Sequence, residues 1–261
     1  MEIDLVTLAL LGLVGLVAGF FDAIAGGGGL MTVPALLLAG LDPVSAVATN
    51  KLQGVFGTAS ATLSFARAGK IAWAETAPMA AMAALGSMGG ALAVRVLPGG
   101  VLAGVIPILM IAIAAYFGLA PKIRDEDAER RISPLAFGLT VAPVVGFYDG
   151  FFGPGAGSFY MMGMVTLLGA GIVRATGATK LLNVSSNAAS LLLFILSGLV
   201  VWPIGLVMAV GSFTGAQLGS RLAIHMGAKI IRPLLILVCV AVAVRLLADP
   251  ANPLRRAALG F

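Results

Sequence analysis

Charge is what this chain has least of. Lys, Arg, Asp and Glu make up 10% of its 261 residues while 60% are hydrophobic, and the mean hydropathy is +1.07. A soluble domain carries about 25% charged residues, so there is too little polar side chain to cover a water-facing surface. Cysteine and histidine are nearly missing too, with Cys239 in an apolar stretch and His225 the only imidazole. One cysteine makes no disulfide framework, and neither residue supplies metal-ligand spacing, so no cofactor or metal is expected. Without a nucleophile, a metal set or a cluster of acids inside the apolar segments, catalysis is not expected either, and a membrane-embedded enzyme ranks last among the readings.

What is there is a series of apolar runs of about 17 to 25 residues, each enough to cross a bilayer, separated by short Arg, Lys, Pro or Gly punctuation. The chain reads as an all-α polytopic membrane protein. A net charge of +5 would suggest nucleic acid in a soluble protein, but here the basic residues sit in loops and set orientation against the membrane; no nucleic-acid partner is expected, and the lipid bilayer is. Residues 5–21 followed by Ala23-Ile24-Ala25 have the outline of a signal peptide. Glu2 and Asp4 precede them with no basic residue, so this segment reads as a retained first helix.

One stretch interrupts the apolar pattern twice. Gly19-Phe20-Phe21-Asp22 leads into Gly26-Gly27-Gly28-Gly29, and about 127 residues later Gly146-Phe147-Tyr148-Asp149 leads into Gly153-Pro154-Gly155-Ala156-Gly157. Glycine runs abandon helix propensity, so the first helix is expected to stop at Asp22 and the glycines. A second, short helix is expected to restart near Thr32, with Thr32 as capping hydroxyl and Pro34 in the first turn. The corresponding second-half break is expected over Asp149 to Gly157. With a two-residue insertion in the second glycine stretch, one offset pairs Lys51 with Lys180, Leu52 with Leu181, Gly69 with Gly198 and Trp73 with Trp202. This is an internal duplication. It divides the chain into a first transmembrane repeat over 1–121, a charged cytoplasmic connector over 122–134 and a second repeat over 135–261. The connector reads as a solvated link between halves.

Each repeat holds about five hydrophobic segments, giving 8–10 helices in all. If residues 67–70 face the cytoplasm and each half makes an odd number of crossings, ten basic residues from Arg67 to Arg232 lie inside. Arg95, Arg255 and Arg256 then lie outside, and this bias favours the assignment. Basic loops of one half match uncharged loops of the other, which favours inverted repeats with broken or re-entrant helices at the midplane; a parallel duplication is the other arrangement.

The charges left at membrane depth are Asp22, Lys51, Asp149 and Lys180. A lysine near the bilayer centre costs about 2.5–3.5 kcal/mol, so it must face a partner or a watery cavity. One reading pairs Asp22 with Lys51 and Asp149 with Lys180 as structural ion pairs. The other is an anion site: Lys51 and Lys180 neutralise the ligand, Thr49, Asn50, Gln53, Thr179, Asn183 and Asn187 hydrogen-bond it, and Gly27, Gly28, Gly29, Gly155 and Gly157 offer backbone amides at restarting helices. Asp22 and Asp149 would then be lysine partners or carriers of a coupling proton. Gly26 to Gly29 is followed by neither Lys-Ser nor Lys-Thr and no strand precedes it, so it is not a P-loop or a dinucleotide fingerprint. The methionines, Met79, Met82, Met88, Met161, Met162 and Met164 among them, read as gap-filling packing.

At Asp22 through Leu30, with Thr32-Val33-Pro34 and Ala48-Thr49-Asn50-Lys51 following in order, the sequence resembles the TauE/SafE sulfite-exporter family of anion permeases. The second half departs from the pattern, with Gly153 to Gly157 in place of a pure glycine run and Ala178-Thr179-Lys180 in place of Thr-Asn-Lys, an asymmetry that bears on which anion fits. The resemblance implies a bacterial inner-membrane carrier exporting sulfite or a small organosulfonate such as sulfoacetate; some relatives are associated with other small anions. An anion channel is the alternative. Oligomeric state is open in the sequence, with a homodimer among the options.

Overall fold

A computed structural model describes residues 4–96 and 126–227. Residues 97–125, with the first part of the charged connector, and the residues from 228 onward, with Cys239 and the basic residues from Lys229 on, lie outside the described residues. Everything regular in the described part is helical. Asp4 caps α1 (Leu5–Ala25), its carboxylate accepting from the Thr7 amide at 2.5 Å. Gly26, at φ 78°, ends α1, and α2 (Gly29–Leu38) restarts three residues on. Asp42 caps α3 (Pro43–Arg67), with Pro43 in the first turn. Burial opposes ionisation of Asp42, but hydrogen bonds from Ser45 and Val44 outweigh it and hold the carboxyl below its usual range. After α4 (Trp73–Val96), Ser133 caps α5 (Pro134–Leu139), which continues past an irregular Thr140 into α6 (Val141–Phe151). The second break leads to α7 (Ala156–Thr166), followed by α8 (Ile172–Leu196) and α9 (Trp202–Met226).

Among the described residues, four segments are long and apolar enough to cross a membrane: α1, α4, the α5–α6 pair and α8. At 25 residues each, α3 and α9 reach about 37 Å. The molecule is inside out relative to a soluble protein. Leu10, Leu13, Leu85, Leu92, Val144, Leu192 and Val210 are exposed, while Lys51, Asn50, Lys180 and Asn183 are buried. The polar first half of α3 is therefore turned away from lipid.

Three boundaries differ from expectation. Helix α1 does not stop at Asp22 but runs through it to Ala25, because the Asp22 carbonyl takes the Gly26 amide at 2.8 Å. Likewise Asp149 lies within α6. Thr32 is not a cap: α2 nucleates directly from Gly28, which is already helical, and the Thr32 hydroxyl instead donates to Asn50 Oδ1 at 2.5 Å. The described part of the connector, 126–133, is exposed but not merely solvated. Ala128 and Arg131 donate to the Gly169 and Leu167 carbonyls at 2.7 and 2.8 Å. Arg130 and Arg174 pair with Glu75 and Asp127. Lys70, Arg130 and Arg174 line one cavity of about 50 Å³, so three residues assigned to the cytoplasmic side share one face of the molecule.

The halves interlock. Helix α1 packs along α9 and α4 along α6, while α3 and α8 cross between these seams. The α3 and α8 axes run antiparallel: Gly177 near the start of α8 abuts Phe65 and Lys70 at the end of α3, whereas the Thr49 hydroxyl near the start of α3 accepts from the Val201 amide beyond the end of α8. Both seams depend on missing side chains, as small residues let membrane helices approach closely. A methyl at Gly86 would stand 2.1 Å from the Pro143 carbonyl oxygen, and one at the repeat-equivalent Gly215 would stand 1.9 Å from that of Leu16.

These distances predict that Gly86→Val and Gly215→Val each destabilise the protein by about 1–3 kcal/mol or more through forced helix separation. Gly89→Ala, whose methyl would meet the Phe147 ring at an ordinary 3.5 Å, should be neutral. Thermal unfolding in detergent distinguishes the three.

Candidate functional site

The two breaks meet back to back. Gly26 packs so closely on Gly157 and Ser158 that an added methyl would lie 2.6 Å from their backbone, and Gly29 lies as tightly on Pro154. Ser158 Oγ donates to the Ala25 carbonyl at 2.5 Å, tying the start of α7 to the end of α1. Around this junction lies a cavity of about 40 Å³, room for a few water-sized atoms. The first turns of both α2 and α7 line it, through Gly28 and Gly29 and through Gly155, Ala156 and Gly157. Two helix N-termini thus bring their partial positive charge to one point.

Four charges surround the cavity, and their pairing is the main correction to the sequence reading. Lys51 and Lys180 occupy the ninth position of α3 and of α8, and each reaches across to the other half. Lys51 Nζ donates to Asp149 Oδ1 at 2.6 Å and to Asn187 Oδ1 at 3.0 Å. Lys180 Nζ donates to the Asp22 backbone carbonyl and lies 3.2 Å from Asp22 Oδ2. The expected pairs within each half, Asp22 with Lys51 and Asp149 with Lys180, do not form. The reason is the helix order: α3 and α8 pack on each other, so each lysine faces the broken helix of the opposite repeat.

Of the residues singled out from sequence, Asn50, Gln53, Asn183, Asn187, Gly28, Gly29, Gly155, Gly157, Asp22 and Asp149 line the cavity. Gly27 and the two lysines do not, the lysine ammonium groups being turned onto the carboxylates. Thr49 is committed to the Val201 amide, and the Thr179 hydroxyl points to Met164 Sδ at 3.8 Å. Lining residues that the sequence reading passed over include Gly54, Gly57 and Thr58. With Asn50 and Gln53 they fall at helical spacing on one face of α3, so extending the period from Asn50 would have found them. Ser212, from α9, carried no such signal.

The amides are oriented by the protein. Asn50 Oδ1 accepts from Thr32 and from Gln53 Nε2, the latter at 2.8 Å, and Asn187 Oδ1 accepts from Lys51. Their NH₂ ends therefore have no protein acceptor among the described residues. Backbone amide ends and these NH₂ groups face the cavity as donors, beside the Asp22 and Asp149 carboxylates and the Asn183 side chain, with the lysine ammoniums behind the carboxylates. No group of three or more His, Cys, Asp or Glu able to hold a metal occurs among the described residues.

Crossed pairing has a measurable signature. Lys51→Ala leaves Asp149 buried and unpaired and should cost about 3–5 kcal/mol. Adding Asp149→Ala should recover much of that loss, whereas adding Asp22→Ala should not; detergent unfolding of the three variants checks it.

Comparison with known proteins agrees with this architecture. The family model for Sulfite exporter TauE/SafE matches residues 11–246. A probable membrane transporter protein, ORF9, of Sinorhizobium sp. is 53% identical over 248 residues, covering 95% of both chains. The probable membrane transporter protein YfcA of Escherichia coli (strain K12) is 49% identical, covering 93% of this chain and 90% of its own. A probable membrane transporter protein of Haemophilus influenzae is 42% identical, covering 95% and 98%. No solved structure matches. A helical bundle with lipid-facing apolar residues, a polar centre and a whole-length family match make this chain an integral multi-pass membrane transporter that belongs to the TauE/SafE sulfite exporter family.

Proposed function

We propose that the protein is a secondary transporter exporting a small sulfur-containing anion, sulfite or an organosulfonate such as sulfoacetate, across the bacterial inner membrane by alternating access. One observation carries this reading: two glycine breaks and two helix N-termini converge on a cavity backed by two buried lysines, and the Asn50 and Asn187 NH₂ ends there have no acceptor among the described residues. Lys51 and Lys180 supply the neutralising charge, and Asn50, Asn183, Asn187 and the amides of the glycine segments hydrogen-bond the oxygens.

The antiparallel course of α3 and α8 supports inverted-topology repeats, and the short α2 and α7 would be the restarting halves of broken helices. Alternating access would rock one bundle against the other about the glycine junction. Protons are the proposed coupling partner, with Asp22 and Asp149 as their carriers. The second reading, an anion channel or a permease for another small organic anion, uses the same cavity.

Uptake of labelled sulfite and sulfoacetate into proteoliposomes tests this. A transporter gives saturable flux and accelerated exchange when unlabelled substrate is present on the far side, with sulfate and chloride as weak competitors. Flux without saturation or counterflow would replace it by the channel, and no flux of either anion would remove the substrate assignment.

A further inference from the structure

The two ion pairs look equivalent in sequence but are not equivalent in surroundings. Asp149 is enclosed: Oδ1 takes Lys51, Oδ2 takes the Ser186 hydroxyl, and Ser87 Oγ donates to the Ser186 carbonyl at 2.6 Å. Both side chains of that pair are 0–4% exposed. At the repeat-equivalent positions of Ser186, Ser190 and Ser87 the other half has Gly57, Ala61 and Ala216. The last two form a small apolar cluster with Ala23, and Gly57 opens onto the cavity. Asp22 accordingly has no hydroxyl partner, its side chain is 20% exposed, and its ammonium contact is the longer one at 3.2 Å.

What Asp22 does have is an anion-binding set. Oδ1 accepts from the Gly28 amide at the entrance to α2, at 3.1 Å, and Oδ2 faces Lys180. A backbone N–H at a helix start together with an ammonium is the donor set that a small oxyanion would use. One turn along α8 from Lys180 stands Asn183, 4% exposed and lining the same cavity. Its Oδ1 is the one buried side-chain polar atom among the described residues without a hydrogen-bond partner. Its repeat equivalent is Gly54. An acceptor buried this deeply without a partner is costly, which points to a donor as its intended partner, and a protonated oxyanion such as hydrogen sulfite carries one.

We infer that the Asp22 carboxylate is a built-in stand-in for the transported oxyanion. Substrate displaces it from Lys180 and the Gly28 amide and engages Asn183 first, ahead of the more enclosed Lys51–Asp149 pair. The inference rests on the anion-transport reading and narrows it to one of two duplicated pairs. Other charged groups beside the cavity are Asp149 and Lys51; the remaining elements packed on Asp22 present Ser212, Gly57 and Ala216 there, none of them titratable.

The test is the KM for labelled sulfite in proteoliposomes, paired with sulfite-induced thermal stabilisation in detergent, which needs no flux. Asp22→Asn removes the competing carboxylate charge and should lower KM by about tenfold, the scale of one charge-assisted hydrogen bond. Asn183→Ala, which leaves every ion pair intact, should raise KM by about the same factor and so serves if the Asp22 variant folds poorly. The isosteric Lys51→Gln/Asp149→Asn double variant and Asn187→Ala should each shift KM by less than the Asp22 and Asn183 changes do. If Asn183→Ala leaves KM unchanged, or the Asp149 and Asn187 variants take the larger shift, the inference is wrong while the transport reading stands. Should sulfite neither move through nor stabilise the unaltered protein, the transport reading falls first and carries the inference with it.

Discussion

Everything in this fold is arranged around the cost of placing two lysines inside a membrane. Neither Lys51 nor Lys180 could remain charged there alone, and each is satisfied by a carboxylate from the opposite half. That requirement determines the order of the bundle, since α3 and α8 must lie side by side and each must face the other repeat's broken helix. Had the pairs closed within each half, the two repeats could have separated as independent units. Crossed pairs instead bind them into one body whose centre is the cavity.

Charge pairing alone would not bring the breaks together. Backbone must approach backbone, and the chain achieves this by omitting side chains where Gly26 meets Gly157 and where the α1–α9 and α4–α6 seams close. With lipid on the outside there is little hydrophobic force between helices, so close contact supplies the cohesion. The same omission leaves helix N-termini and amide groups facing one another across a small space. Packing and ligand chemistry therefore share the same glycines.

The two acids differ in their surroundings. Ser186 gives Asp149 a hydroxyl partner, with Ser87 and Ser190 donating to the Ser186 carbonyl, while the aligned positions of the other half hold Gly57, Ala216 and Ala61. Asp149 has a side-chain donor on each oxygen, whereas Asp22 is held by a backbone amide and a longer lysine contact, the difference that the proposed displacement uses. Those substitutions change no charge and no hydropathy of note, yet they set the electrostatic character of each pair.

Amino-acid order alone determined the membrane class, the duplication, the two glycine breaks and the four charges at depth, because each depends on composition or local propensity along one chain. It also located Asn50, Asn183 and Asn187, since polar groups in an apolar helix must face inward. Helix ends were less legible: Thr32 looked like a cap and Asp22 like a terminus. Their hydroxyl and carbonyl partners lie in Asn50, Lys180 and the αL turn at Gly26, which no window of neighbouring residues reveals. Which acid pairs with which lysine was decided only by tertiary structure. Both pairings satisfy the same charge balance, and the choice follows from α3 packing on α8, a contact between segments about 130 residues apart.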